Sequence, residues 1–323
     1  MSTGIRLGVL DFSPISPGTH ARKALFDTLC LARAADSLGF SRYWLAEHHQ
    51  LDVAHHSPET LLPLILGATE QLRVGVAGIL LRLHSPMRVA KAFRTLNSFF
   101  SGRLDLGVAG GKANSAVMRA MLDHEVAPES QSRAEFARRF GELMGLLRDE
   151  SPLTFNPPEE DSLPVWLHGS SSLETAELAA RYGTCFGWSL AHPFSQDRTA
   201  VVEHYRQSFR PRLGQPRPEW VVAIAGVCAE TEREAHALAR ESLDCPGELA
   251  IVGTPTQCRE KLEALRHRYG TDEFILRPLE RSAEARLRCL RLFASALGLR
   301  RPEAPGPAGP SSTYVLPGAP PRL

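Results

Sequence analysis

The chain has 323 residues, 43% of them hydrophobic and 23% charged, with a formal net charge of +1. So even a balance provides no basic field for nucleic acid or an anionic membrane surface, and no apolar run approaches the length of a bilayer span. The length suits one large α/β barrel or two ordinary domains.

A first strand is predicted over residues 5–10, ending at Asp11-Phe12-Ser13-Pro14 and leading through a Pro/Gly loop into a helix over 20–38. Gly39 then stands where a helix C-cap belongs. The second strand, 42–46, stops at Glu47-His48-His49, one carboxylate and two imidazoles in a row. In alternating β/α folds the carboxyl ends of parallel strands are where chemistry collects. Ser57-Pro58-Glu59 opens the next helix, with proline at a first-turn position. A third strand is expected over 73–81, a helix from Ser85-Pro86 to Phe99, and a fourth strand over 104–108.

Helical periodicity covers 114–122 and 130–149, and a fifth strand is expected over 164–168, followed at once by Gly169-Ser170-Ser171-Ser172 and a helix to Gly183. A short strand at 184–188, a helix at 195–209 and a strand from Trp220 to Cys228 come next. Helices at 231–243 and 255–269, a strand at 273–277 and a last helix at 281–298 complete the pattern. Eight strand–helix alternations with short apolar strands predict a closed parallel (β/α)8 barrel over residues 1–300. A doubly wound sheet is disfavoured, since no Gly-x-Gly-x-x-Gly follows the first strand. Seven of the 24 prolines fall within 301–323, a tail expected to be extended or disordered. No secretory signal pattern opens the chain and the six cysteines form no Cys-x-x-Cys pair, so reduced thiols and a cytoplasmic location are expected.

Several of these segments, in order from about residue 5 to 298, resemble the bacterial luciferase-like flavin-dependent monooxygenases, the natural-product branch most closely. They are Trp44 to His49, Gly78 to Leu81, His84-Ser85-Pro86, Gly102 to Gly107, Pro164 to Ser171 and Ile251 to Pro255. The resemblance implies a TIM barrel that uses reduced FMN and O2, through a flavin C4a-peroxide, to oxygenate a small organic substrate of the secondary-metabolite kind. A separate NAD(P)H:flavin reductase would supply the cofactor, and a homodimer would form through the helices after the second and third strands. Leu61, Leu62, Leu64 and Phe93 look exposed there. An F420-dependent hydride-transfer enzyme, or a barrel that binds flavin without catalysis, are the alternatives.

His48 matches the family's histidine after the second strand, where an imidazole can pass a proton near neutral pH. Strand alternation sends His49 to the other side, and Glu47 is placed either to orient an imidazole or to pair with Arg42 or Arg73. Glu47, His48, His49, His55 and His56 lie close enough in sequence to suggest a metal, but they lack a tight helical pair and the family uses none; no metal is expected. Ala77-Gly78 corresponds to a non-prolyl cis bulge beside the flavin ring. Gly169, Ser170 and Ser171 offer N–H and hydroxyl groups at a helix start, where the family binds the FMN phosphate. Two departures stand out. Gly110 replaces an arginine that helps bind that phosphate, with Lys112 or backbone N–H groups as substitutes, and Arg82-Leu83 replaces Pro-Asn, placing a long cation near the mouth. Asp11, Phe12, Ser13, Trp188 and His192 are the expected pocket walls.

Overall fold

The computed structural model describes residues 4–111, 120–121, 129–158, 162–193, 195–242 and 245–301. Lys112, most of the expected 114–122 helix and the proline-rich tail from 302 lie outside the described residues. The strands are β1 (Arg6–Asp11), β2 (Arg42–Leu45), β3 (Arg73–Val76), β4 (Ile79–Leu80), β5 (Leu104–Ala109), β6 (Val165–Gly169), β7 (Cys185–Ser189), β8 (Trp220–Cys228), β9 (Ile251–Gly253) and β10 (Glu273–Pro278). The described helices are α1 (Ala21–Leu38), α2 (Leu62–Ala68), α3 (Pro86–Phe99), α4 (Glu129–Leu147), α5 (Leu173–Tyr182), α6 (Thr199–Ser208), α7 (Glu232–Arg240), α8 (Pro255–Tyr269) and α9 (Ala283–Leu297).

All strand pairings are parallel, and β10 pairs with both β1 and β8, which closes an eight-stranded barrel. The expected strand over 73–81 is broken: β3 ends at Val76, a cis peptide joins Ala77 to Gly78, and β4 resumes against the same neighbour, β5. β9 adds to the upper end of β8, outside the ring of eight. Helix ends follow the local chemistry. Thr254 and Gln257 form a reciprocal capping box at the start of α8, and Gly39, Gly183, Gly270 and Gly298 close their helices in the left-handed region.

Strand alternation sorts the side chains into two layers. Leu7, Val9, Tyr43, Leu45, Leu104, Leu106, Phe186 and Trp188 face outward and pack against the helices. Leu10, Trp44, Trp166, Cys185, Val221 and Ile275 fill the barrel interior, with Phe12 and Ala77 at its upper edge. The floor is ionic. The buried Asp105 accepts from Arg42 Nη1 at 2.6 Å, Arg73 Nη2 at 2.7 Å and Trp44 Nε1 at 3.0 Å, while Glu273 takes Arg42 Nε at 2.8 Å. Burial pushes the Asp105 carboxyl up, but the Arg42 and Arg73 charges outweigh it and hold it below its usual range. Arg42 shared between Asp105 and Glu273, with Arg73 also on Asp105, leaves no charge of the cluster uncompensated, which is what a buried ion cluster requires.

Two of the helix residues expected on the surface are core residues: Leu62 and Phe93 are buried, because the α2 and α3 faces that carry them turn toward the barrel. Leu64 is 59% exposed. The helix expected from 195 starts at Thr199, and the one expected to 243 ends at Arg240. All six cysteines are free, four of them buried. No described helix is long and apolar enough to cross a membrane.

Candidate active site

The C-terminal mouth of the barrel is built from the residues at which the strands run out. Alternation carries the inward face of β1 to Phe12 and that of β2 to His48, whose ring stacks on Phe12 at 4.6 Å and 29°. Arg277, on the inward face of β10, places its guanidinium carbon 4.4 Å from the centre of the same Phe12 ring. His192 stacks at 6.2 Å from Phe12, and Arg277 Nη1 donates to the carbonyl of Ala191 at 3.1 Å. Three side chains, from the end of β2, from β10 and from the loop after β7, therefore converge on the one aromatic ring that follows β1.

Beneath them the interior is aromatic. Trp44 packs on Trp166 at 5.1 Å, and His168 meets the Trp44 ring edge-on at 5.3 Å. The imidazole of His168 occupies space opened by two glycines on the flanking strands. A Cβ on Gly187 would lie 2.2 Å from its Nδ1, and one on Gly107 would lie 2.6 Å from its Nε2. Burial pushes the His168 pKa down to about 4, with the Asp105 charge pulling the other way, so the ring is neutral. Its Nε2 is buried without a hydrogen-bond partner among the described residues.

The outward-facing residues at the same strand ends serve a different purpose. The buried Glu47 accepts from His49 Nε2 at 2.8 Å, from His84 Nε2 at 2.9 Å and from the backbone N–H of Leu80 at 2.8 Å. Burial raises its pKa, but the His84 hydrogen bond and charge, with Leu80 and His49, outweigh it and hold the carboxyl below its usual value. His84 shifts the other way: burial lowers it, and the Glu47 hydrogen bond and charge raise it further than that. Glu47 thus orients imidazoles, His49 and His84, and the alternative pairing with Arg42 or Arg73 is excluded because both arginines bind Asp105.

Three expected pocket walls face away from the mouth. Asp11 points into the helix layer, accepting from Ser13 N, Arg286 Nη1, Thr28 Oγ1 and Tyr43 Oη at 2.6–3.0 Å. Ser13 is fully buried in the same cluster, bonded to Thr28. Trp188 occupies an outward position on β7 beside Phe186 and is completely covered. The reason is the period of the strand: Cys185 and Gly187 take the inward positions, so Trp188 cannot. The histidines after β2 do not converge either. His56 Nδ1 pairs with the carbonyl of His48 at 2.7 Å and its ring stacks on His49. Among the described residues no cluster of His, Cys, Asp and Glu could hold a metal ion.

At the β6 end, Gly169 closes the strand and Ser170 and Ser171 lead to Ser172, the N-cap of α5, whose side chain makes no cap bond. The carboxylate of Glu174 in the first turn accepts from its own backbone N–H and from the Ser172 hydroxyl, so an anion bound at this helix start would compete with it. Arg133 of α4 reaches the first turn of α5, where it pairs with exposed Glu174 at 3.0 Å. Arg82 is directed elsewhere: its Nε donates to the carbonyl of Gly110 at 2.9 Å and its Nη2 to that of Gly111, tying down the end of β5.

Arg277 and Arg133 carry no site expectation in the sequence, and His84 and His168 enter it only as members of the segments that resemble the family. Arg277 carried a usable signal, since a cation at the last inward position of an apolar strand is unusual. His168 carried one too, as the polar residue ending Val165-Trp166-Leu167. The roles of His84 and Arg133 depend on partners 37 and 41 residues distant, which no local pattern announces.

The sequence profile described as luciferase-like monooxygenase matches residues 5–245. A luciferase-like monooxygenase of Escherichia coli K12 is 36% identical over 72% of this chain and 70% of its own length. The crystal structure of apo-MsnO8 superposes with a TM-score of 0.82 at 29% identity, covering 91% of this chain and 99% of that one. At 15% identity the fold alone is shared with the oxygenating constituent of a 3,6-diketocamphane monooxygenase from Pseudomonas putida in complex with FMN (TM-score 0.71) and with an F420-dependent secondary alcohol dehydrogenase (TM-score 0.69). The chain belongs to the luciferase-like monooxygenase family.

Proposed function

We propose that the protein is a monooxygenase that uses reduced FMN and O2 on a small organic substrate, with His48 as the proton-handling residue. The observation that carries this reading is the His48–Phe12 stack at the barrel mouth. The residues present fit a flavin mononucleotide. Small side chains, Ala46 and Ala77, border the interior on the β2 and β3 side, beside Phe12 at its upper edge. Ser170, Ser171 and the first N–H groups of α5 would hold the phosphate, with Arg133 supplying the charge that Gly110 does not. Bound reduced flavin supplies the electrons that activate oxygen.

The chain's own contribution is binding, orientation and proton control. His48 Nδ1 or Nε2 gives or takes one proton at the reacting centre, and its stacking on Phe12 fixes the ring plane in which that transfer occurs. Phe12, Trp44 and Trp166 keep water from the lower side of the chamber. Glu47 holds His84 and Leu80, and so the segment that follows β3, in place behind His48.

A flavin reductase acting on NAD(P)H would deliver the reduced cofactor, and two copies would pair through α2 and α3 around the exposed Leu64. Light scattering at micromolar concentration reads the second point: a single-chain mass would refute the pairing. The central test is anaerobic titration with photoreduced FMN and, separately, with reduced F420, followed by air. FMN binding with rapid oxygen-dependent reoxidation is expected. Tight binding of reduced F420 without reaction with oxygen would favour hydride transfer and overturn the proposal.

A further inference from the structure

The segment that bears Phe12 and the loop that bears His48 are fastened to one another, and the fastening depends on one buried acid. β1 and β2 run in register as far as Asp11 and Leu45, and the N–H of Ala46 donates to the carbonyl of Asp11 at 3.1 Å. The chain then leaves through 47–51, which carries His48, and returns antiparallel to the residues after β1. On the return the N–H of Ile15 donates to the carbonyl of Asp52 at 2.8 Å, that of Ala54 donates to the carbonyl of Ser13 at 2.9 Å, and Pro14 faces Val53. Both feet of the His48 loop therefore stand on residues 11–15. The turn that makes this possible lies at Ser13, which is fully buried and has a φ of 52°, a left-handed backbone that a residue with a side chain disfavours. Its N–H donates to Asp11 Oδ1 at 2.8 Å. The same carboxylate is held from the helix layer by Arg286 Nη1 of α9 at 2.9 Å, Tyr43 Oη at 2.6 Å and Thr28 Oγ1 at 3.0 Å. Asp11 is 2% exposed and Arg286 1%. An apolar pair would fill so dry a layer with less desolvation, but it would supply no acceptor for the Ser13 N–H in this turn.

We propose that Asp11 is a positioning residue: by holding the left-handed turn at Ser13 it closes the β2 loop over Phe12 and keeps the His48 imidazole on that ring. The inference rests on the monooxygenase reading only in giving His48 a reaction to serve; the clasp itself is independent of flavin. Asp11 faces the helix layer, so it acts through the backbone of Ser13 and Ala54 rather than on the reacting atoms. Because Phe12 lies between Asp11 and Ser13, the turn also fixes the direction in which its ring projects. Release of the turn frees both rings together, and a displacement of about 1 Å in a proton-handling group costs on the order of a hundredfold in rate.

The test uses the flavin-free full chain with isotope-labelled histidine and reads the His48 ring-proton resonance, identified by its absence in His48→Ala. Stacking at 4.6 Å places that proton in the Phe12 ring current, so the wild-type resonance should lie upfield of its position in Phe12→Leu. Asp11→Ala combined with Arg286→Met removes both charges of the pair at once and should move the resonance to the Phe12→Leu position. Asp11→Asn, which keeps an acceptor for the Ser13 N–H, should leave it upfield. An upfield resonance in the folded double variant overturns the proposal, and so does its loss in folded Asp11→Asn. Ser13→Pro leaves the Asp11–Arg286 pair whole but forbids a positive φ, and it should give the same displacement as the double variant; an upfield resonance there also overturns the proposal. Should circular dichroism show that these variants do not fold, amide exchange in the wild type decides. The Ser13 and Ala54 N–H groups should then exchange as slowly as those of β1, and a freely exchanging Ala54 beside an upfield His48 overturns the inference. In stopped flow, the reaction of bound photoreduced FMN with O2 should depart from the wild-type rate in the double variant in the direction that His48→Ala departs, by up to about a hundredfold, at unchanged affinity for reduced FMN. A loss of that affinity in step with the rate would make the clasp part of the flavin seat and sink the positioning role. A resonance that does not move leaves the chemistry of His48 untouched. A wild-type rate in His48→Ala, beside a resonance that does move, removes the role of His48 and not the clasp.

Discussion

The carboxylate of Glu47 accepts a 2.8 Å hydrogen bond from the backbone N–H of Leu80, so the residue next to His48 holds the segment that follows the cis peptide. The same carboxylate takes the imidazole of His84 at 2.9 Å. One buried acid thus connects the end of β2 to β4 and to the start of α3.

Removing that acceptor has a predictable cost. Glu47→Ala leaves the Leu80 N–H and two imidazoles without their acceptor and should destabilise the fold by about 1–3 kcal/mol. The pH dependence has a definite sign. His84, raised in the folded state, contributes stability that is complete below its ordinary value of about 6.5 and is lost as pH climbs through the raised one. Glu47, lowered in the folded state, contributes above about 4.3 and loses that contribution as pH falls through the lowered value. The pair therefore stabilises most between those two ordinary values. Urea unfolding of wild type and Glu47→Gln from pH 5 to 9 should show the gap between them narrowing on the alkaline side, and a constant gap would refute the linkage.

His48→Ala should lower oxygen-dependent product formation by roughly 10²- to 10⁴-fold while leaving the thermal unfolding midpoint close to that of the wild type. The ring lies on the surface of Phe12 and is half-buried, so its loss opens no large internal void. Coupled turnover equal to the wild type would remove His48 from the chemistry.

Ser170→Ala combined with Ser171→Ala should weaken FMN binding clearly and riboflavin binding little. Arg133→Gln should add a further loss of about one to two powers of ten for FMN alone, the worth of a charge-assisted phosphate contact. Fluorescence quenching of the two flavins measures both. Parallel losses for FMN and riboflavin would mean that the serines only begin the helix.

Gly187→Ala should cost about 1–3 kcal/mol, the usual price of overpacking, since its Cβ would lie 2.2 Å from His168 Nδ1. His168→Ala should recover part of that loss in the double variant, a coupling that a double-mutant cycle in urea reads directly. Gly107→Ala should not be recovered in the same way, because its Cβ would meet the carbonyl of Val76 at 1.9 Å, and backbone cannot be trimmed. Additive behaviour at 187 and 168 would contradict the packing described.

The barrel was legible because each strand is a short apolar run followed by a turn residue and a helical period, and the period-2 alternation within a run survives folding unchanged. His48 could be placed inward and His49 outward for that reason alone. The same rule, applied to Asp11, Ser13 and Trp188, would have turned them away from the pocket. Their chemistry drew attention that their parity should have withheld. Arg82 escaped for another reason: its length allows many targets, and only the folded loop shows that the carbonyls of Gly110 and Gly111 receive it. Leu62 and Phe93 are buried where the sequence suggests exposure, because the apolar stripe of their helices is wide enough that either edge could be the outer one.

Gly107, His168 and Gly187 stand side by side on β5, β6 and β7, one ring between two absent side chains. The volume shared by His168 and Gly187 makes those two a single inherited unit, while Gly107 is held by the Val76 carbonyl whatever stands at 168. A lineage that enlarges position 187 must first shrink position 168. In descendants of this barrel positions 168 and 187 should change together or not at all against a constant glycine at 107, so the width of the barrel interior there evolves in steps rather than by degrees.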